Sequence, residues 1–323
     1  MNTPSRQFLT AALLALCSSA AWAQAWPAKP IRLVIGFAPG GAADYVARTI
    51  ADPLGRVLGQ SITVENRAGA GSSLAADFVA KAPADGYTLL IASPSSISVN
   101  PALNTKLTYS AKDLVPVTRV TTSPLVVAVN PNAGINSFQD LINLAKAKPG
   151  FLNFTSSGNG SAPHLGAAHF SKVAGVDMVH IPYKGGAPAI QAVIAGDAQL
   201  TFGTPPSVLP MVQAGRLKAL AVTSPTRTSL VPDVPAAAEA GLPGYSMSFW
   251  YGVFVPVGTP PDVMKKLFDD TAQVMQRPEV KAALAREGTD VAMSKSPDDF
   301  AAFLIDDNRF WAKLVKEAGV KLD

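Results

Sequence analysis

Only one cysteine occurs in the 323 residues, Cys17, so the chain can form no internal disulfide. Charge is also sparse. Asp, Glu, Lys and Arg make up 15% of the residues, no Lys/Arg run occurs, and the net charge of +4 is spread thinly. That distribution offers no basic footprint for a polyanion and excludes nucleic acid as a partner. Aromatic residues amount to 7%, and no apolar stretch approaches the roughly 20 residues that a membrane-spanning helix needs. No internal repeat or low-complexity linker interrupts the chain. What is abundant is apolar side chain: 48% hydrophobic residues are ample for a large core and too many for a disordered chain. A chain of this length is expected to form two lobes rather than one average domain.

Arg6 is followed by an apolar run at 8–16 and then by small residues ending in Ala21-Trp22-Ala23, the pattern of an export signal cleaved near Ala23 or Ala25. Residues 1–25 are set aside on that reading, and Cys17 goes with them. The mature chain then has neither a disulfide nor a thiol nucleophile, although it is exported. Leu16 is bulky where a lipid-anchor signal wants a small residue beside its cysteine, so a soluble periplasmic protein is expected.

From Ile31 onward, short β-branched runs alternate with segments of helical period, the pattern of an α/β protein with a largely parallel sheet. "IRLVIG" (31–36), "SITVEN" (61–66) and "YTLLIAS" (87–93) read as a first set of strands. Ala43, Val46, Ala47, Ile50, Leu54, Val57 and Leu58 recur at helical spacing and mark the buried face of a helix behind the first strand. "LVVAVN" (125–130) opens a second set that continues through "LNFTSS" (152–157), "MVHIPY" (178–183), "AQLTFG" (198–203) and "LKALAVT" (217–223), with helices between them. "FWYGVFVP" (249–256) reads as a strand leading back into the first lobe, after which two helices finish the chain. Crossovers near 121–125 and 243–248 divide the mature chain into a first lobe at 26–122 plus 247–323 and an inserted second lobe at 123–246. Paired connections of this kind imply a hinge and a cleft.

Ligands of open α/β sheets collect beyond the carboxyl ends of the strands, where loops and helix N-termini converge. "FAPGGAAD" (37–44) lies at such an end. Its glycines let a ligand approach the backbone, and the leading N–H groups of the following helix make an anion socket that needs no cationic side chain. The plainer reading is a tight strand-to-helix turn in which Asp44 satisfies backbone N–H groups. "TSSGNGSAPHL" (155–165) repeats the arrangement in the second lobe, with His164 at the helix start as a further donor. His169 and His180 read as packing residues.

Familiar enzyme signatures are missing. Gly158-Asn159-Gly160 is followed by Pro163 where a dinucleotide fingerprint wants glycine, and "GAGSS" (69–73) lacks the Gly-Lys-Ser/Thr end of a P-loop. His164 and His169 are five apart with no glutamate between them, which does not suit a metalloprotease helix. No Gly-x-Ser-x-Gly elbow occurs. The pairs Asp269-Asp270, Asp298-Asp299 and Asp306-Asp307 fall on segments of helical period and read as solvated faces.

"PAKPIRLVIGFAPGGAAD", "VENRAGAG", "ADGYTLL", "VHIPYKGGAPAIQAVIAGDAQLTF", "LKALAVTSPTRTSLVPDVPAAAEAGLPGY" and "VFVPVGTPPDVMKKL" occur in this order and span nearly the whole mature chain. Together they resemble the Bug, or TctC-like, extracytoplasmic solute receptors of tripartite tricarboxylate transporters. The resemblance implies an α/β, two-lobed type II periplasmic binding protein with a ligand cleft between its lobes. It further implies a monomer without cofactor or metal that closes on a small carboxylate and hands it to membrane permease subunits. Carried onto this sequence, the ligand set is Phe37, Gly40, Gly41, Ala42 and Asp44 in the first loop and Ser157, Asn159, Gly160 and His164 in the second. Ser93, Gly203 and Thr204, at the ends of two further strands, complete it.

Two departures bear on the ligand. Gly71-Ser72-Ser73 stands where the family commonly has Gly-Gly-Asn, which adds hydroxyls. Phe202-Gly203-Thr204 stands where many members have Phe-Asp-Asn, and without that carboxylate a buried ammonium has no counter-charge. An amine-free ligand with an uncharged distal half, aromatic or aliphatic, is expected. The competing readings are a periplasmic enzyme acting on a carboxylate with Asp44 or His164 as its base, and a sensing module for a two-component kinase.

Overall fold

The computed structural model describes residues 26–104, 106–228, 231–286 and 288–318. The export signal expected at 1–25 lies outside these residues. β1 (Ile31–Ile35), β2 (Ile62–Asn66) and β3 (Thr88–Ala92) pair in parallel, with β1 in the middle. β10 (Ser248–Pro256) joins β3 antiparallel, β4 (Leu114–Pro124) joins β10, and the short β11 (Asp290–Val291) closes the edge. Both faces of this sheet are covered. Leu33, Ile35, Leu89, Ile91, Phe249, Tyr251 and Val253 face one buried cluster, whereas Val34, Leu90, Ala92, Trp250 and Phe254 face another. This is the period-two alternation of a strand buried on both sides.

The second sheet has the order β7 (Val179–Pro182), β6 (Asn153–Ser156), β8 (Leu200–Gly203), β5 (Val126–Val129), β9 (Lys218–Val222). β6 pairs in parallel with both of its neighbours, and β5 is antiparallel to both of its own. The expectation of a largely parallel sheet is therefore corrected: both sheets are mixed. A helical crossover brings strands back in parallel, but β4 passes into β5 through Leu125 alone and β9 reaches β10 without an intervening helix.

Helices α1 (Ala42–Leu58), α2 (Ser73–Ala80) and the single turn α3 (Asn100–Leu103) belong to the first part of the chain. α4 (Phe138–Ala147), α5 (Ala162–Ala174), α6 (Gly186–Ala195) and α7 (Pro205–Gln213) alternate with the strands of the second sheet. After β10 come α8 (Pro261–Met275), α9 (Pro278–Arg286) and α10 (Pro297–Ala318), three helices where two were expected. Pro278 is the reason: a proline has no N–H to extend α8 but suits the first turn of a new helix. Trp311, Leu314 and Val315 seat α10 in the core, as the expected docking of the terminal helix requires. Among the described residues no helix is long and apolar enough to cross a membrane.

Candidate functional site

Loops from both sheets meet at one cavity. The first lobe contributes Phe37 and Gly41 after β1, Ala42 and Ala43 from the start of α1, Ser93 and Ser95 after β3, and Phe249 and Tyr251 from β10. The second contributes Ser157 after β6, Ala162 and Pro163 from the start of α5, Gly186 from α6, and Thr204 ahead of α7. The cavity measures about 20 Å³, enough for about one water molecule. No charged side chain lines it.

Three helices reach this wall without a side-chain cap: α1 behind Gly41, α6 behind Gly185 and α7 behind Thr204. The leading N–H groups of α1 and α6 have no intrahelical partner and carry the positive end of the helix dipole. α7 instead opens with Pro205-Pro206, which have no N–H, and its Ser207 N–H donates to the Thr204 carbonyl at 3.0 Å. α5 behaves differently, because Ser161 Oγ accepts from the His164 N–H at 3.4 Å and caps it. The sequence paired the starts of α1 and α5 across the cleft. In the structure α5 is capped by its own serine, and α6 supplies the second lobe's open N-terminus.

The glycines at 40–41 serve the approach of the lobes as well as the turn. Gly40 has φ +79°, a conformation that disfavours any side chain. Gly41 backs onto Gly186 of the second lobe, where an added Cβ would lie 3.5 Å from the Gly186 nitrogen. Beside this pair the Ala38 N–H donates to the Lys184 carbonyl at 3.0 Å, and a Cβ on Gly185 would come within 2.9 Å of the Ala38 nitrogen. Two Gly-Gly turns, one per lobe, thus let two backbones meet with the cavity between them.

Asp44 holds this turn in shape. One carboxylate oxygen accepts from the Gly40 N–H at 3.1 Å and from Arg48 Nε at 2.9 Å, and the other accepts from Asn66 Nδ2 at 3.0 Å. Burial pushes its carboxyl up, but the hydrogen bonds from Arg48, Gly40 and Asn66 outweigh that and hold it below the ordinary carboxylate range. Asn66 also donates to the Phe37 carbonyl at 3.0 Å, so β2 braces the loop from outside the cavity.

The profile described as "Tripartite tricarboxylate transporter family receptor" matches residues 46–320. The chain belongs to that family. BugT of Bordetella pertussis is 37% identical over 302 residues, covering 93% of this chain and 92% of BugT. The solved structure of R. palustris Rpa4515 with adipate matches with a TM-score of 0.88 at 33% identity, over 92% of this chain and 99% of that one. The periplasmic binding protein BugD matches with a TM-score of 0.87 at 29% identity, again over 92% and 99%. The chain is thus a Bug/TctC-type receptor with the two-lobed fold of periplasmic solute-binding proteins, in a family of solute-binding receptors.

Of the residues the sequence singled out, Phe37, Gly41, Ala42, Ser93, Ser157 and Thr204 line the receptor's cavity. Gly40, Asp44, Gly160, His164 and Gly203 do not line it, and Asn159 lines a second cavity of about 200 Å³ that shares Ser157 with the first. Gly36, Ser72, Tyr183 and Lys184 also belong to that second wall, which contains no acidic residue. Ser72 holds φ +76° there, and its buried hydroxyl has no hydrogen-bond partner. The ring of His164 turns instead to a separate groove of about 550 Å³. It stacks on His180 with ring centroids 3.8 Å apart, and its Nδ1 accepts from the Gly160 N–H at 3.2 Å. Burial, and then the neighbouring His180, push its pKa down to about 3, so the imidazole is neutral at physiological pH.

Ser95, Phe249, Tyr251 and Gly186 were not in the expected set. Gly186 was legible, since "YKGGAPA" (183–189) has the same Gly-Gly-before-helix form as "APGGAAD" (38–44). Phe249 and Tyr251 share a face by strand alternation, but only the sheet order shows that this face meets the cavity.

Proposed function

We propose that this receptor captures a small, amine-free carboxylate between its lobes in the periplasm and, as a monomer, delivers it to the permease subunits of a tripartite transporter. The observation that carries the reading is the convergence of two uncapped helix N-termini, α1 from the first lobe and α6 from the second, on a cavity without charged side chains. An acid oxygen placed there gains from oriented N–H groups of both lobes at once, so binding favours the closed arrangement. A relative solved with adipate supports a carboxylate. Neither cavity wall offers Asp or Glu to an ammonium, which supports an amine-free ligand. In this reading Phe37, Gly41, Ala42, Ser93, Ser157 and Thr204 face the ligand, and Gly40, Asp44, Asn159, Gly160, His164 and Gly203 shape the loops that do. The lobes are assigned to 26–122 plus 247–323 and to 123–246.

The engagement of Asp44 with three donors and the neutral, stacked state of His164 favour a receptor over an enzyme that uses either as its base. A thermal-shift panel of mono-, di- and tricarboxylates, aromatic acids, amino acids and matched amides, with mass spectrometry of each mixture, tests the reading. Melting shifts confined to amine-free acids that are recovered unchanged are expected. A consumed acid, or no shift with any acid, refutes it.

A further inference from the structure

Two hydroxyls in the first-lobe wall of the cavity find no partner within the described protein. Ser93 Oγ is buried without a hydrogen bond. Tyr251 is 6% exposed, and its phenol makes no hydrogen bond to a described residue. Both line the cavity, and both lie where the antiparallel pairing of β3 and β10 ends: Gly252 pairs with Ala92, and Tyr251 and Ser93 are the next residues of the two segments beyond that pair. The other neighbour of β10 is β4, and its register slips between Tyr251 and Gly252. Irregularities of this kind bend a strand and re-aim side chains, and they gather next to binding sites. Phe249 then pins the tyrosine ring edge-on, with centroids 5.4 Å apart and planes at 85°.

We infer that Tyr251 is a specificity-determining residue of the ligand site, its phenol donating, together with the Ser93 hydroxyl, to the acid group of the bound carboxylate. The inference rests on the receptor reading above and adds to it, because the helix N-termini act through backbone N–H groups whereas this pair acts through side chains. Burial raises the phenol's pKa well above its ordinary value, so it remains a neutral donor wherever a carboxylate is ionised. A neutral donor suits this wall, which holds no cation: the acid is recognised by hydrogen bonds and not by an ion pair. Tyrosine also fixes the position of its donor better than a lysine would, since only two torsions place the ring and Phe249 restrains them.

The test compares the purified wild-type protein with Tyr251→Phe, Ser93→Ala and the double variant by calorimetry with succinate, adipate and benzoate, at pH 6 and pH 8.5. Tyr251→Phe keeps the ring and its packing, so the unliganded melting temperature is expected to hold while affinity for the best-bound acid falls about 10- to 100-fold, equally at both pH values. Ser93→Ala is expected to weaken the same acid by a similar factor, and provides the measurement if the phenylalanine variant folds poorly. Affinity within twofold of wild type in both single variants overturns the inference and leaves the receptor reading standing. A wild-type protein that binds none of the three acids, nor any other in the thermal-shift panel, overturns both.

Discussion

Leu125 and Thr223 are hydrogen-bonded in both directions where the chain crosses between lobes: the Leu125 N–H donates to Thr223 Oγ1 at 2.8 Å, and the Thr223 N–H donates to the Leu125 carbonyl at 2.9 Å. The same threonine ties in the return crossing, because its hydroxyl donates to the Met247 carbonyl at 2.7 Å and its own carbonyl accepts from the Met247 N–H at 2.7 Å. One buried side chain therefore joins both connections of the hinge. Thr223→Val keeps the shape but strands a buried N–H and a buried carbonyl. Chemical denaturation should show a loss of about 2–4 kcal/mol. Thr223→Ser, which restores the hydroxyl, should recover most of it, and equal losses in the two variants would show that the methyl group, which valine keeps and serine lacks, matters as much as the hydroxyl.

Gly41→Val should abolish ligand binding with little effect on the unliganded fold. The Cβ itself fits, at 3.5 Å from the Gly186 nitrogen, but the γ-methyls of valine then meet the backbone of the second lobe. The block falls on closure, whereas a Cβ on Gly186 would press first on Ser207 Oγ of its own lobe, at 2.7 Å, so the test is made at Gly41. Small-angle scattering with and without a saturating acid reads this directly. The Gly41→Val protein should keep the unliganded radius when acid is added, and compaction equal to wild type would refute the steric argument.

Much of this was legible from local pattern, and the remainder depended on assembly. Strands such as β1 and β3 announce themselves by β-branched runs between small-residue loops, and the loop at 37–44 marks itself by two glycines ahead of a helix. The mixed direction of the sheets was not legible, because it follows from two crossovers that lack helices. The partners of Gly41 were also hidden. A glycine in sequence shows that something comes close, and here the nearest group is Gly186, roughly 145 residues further on. His164 shows the same limit: its place at a helix start suggested a donor to an anion, but contact with His180 on a neighbouring strand turns its ring into a different groove.

His164 predicts the direction of acid instability. Its folded pKa of about 3 lies below the ordinary value of 6.5. Between these values the unfolded chain binds the proton that the folded chain refuses, so stability rises with pH through this window and is lost as pH falls from about 6.5 toward 3. Replacement by a neutral residue of similar shape, His164→Gln, should cost stability at pH 7 through the lost stack and the Gly160 hydrogen bond. It should nevertheless flatten the dependence below pH 6.5, by up to a few kcal/mol across the window. Parallel melting-temperature curves for wild type and variant from pH 7 to pH 4 would contradict this assignment.

Asp307 predicts the opposite slope. It lies where α10 meets the turn after β3, with Ser98 Oγ donating to one carboxylate oxygen at 3.2 Å and Trp311 Nε1 to the other at 3.0 Å. Burial raises its pKa to about 6 despite these donors and the nearby Arg119 guanidinium. A folded pKa above the unfolded one means that the folded chain holds a proton the unfolded chain has released, so this residue's contribution falls as pH rises from about 4 through 6. At pH 7.5 the buried charge is a full liability, at most about 3 kcal/mol. Asp307→Asn removes the charge and keeps an oxygen for Trp311, while the Ser98 hydroxyl can turn to accept from the new amide. The variant should therefore be more stable than wild type at pH 7.5, by about 1–3 kcal/mol, and close to it at pH 4. A variant less stable by the same margin at both pH values would mean that the ionised carboxylate is worth more to this junction than its burial costs.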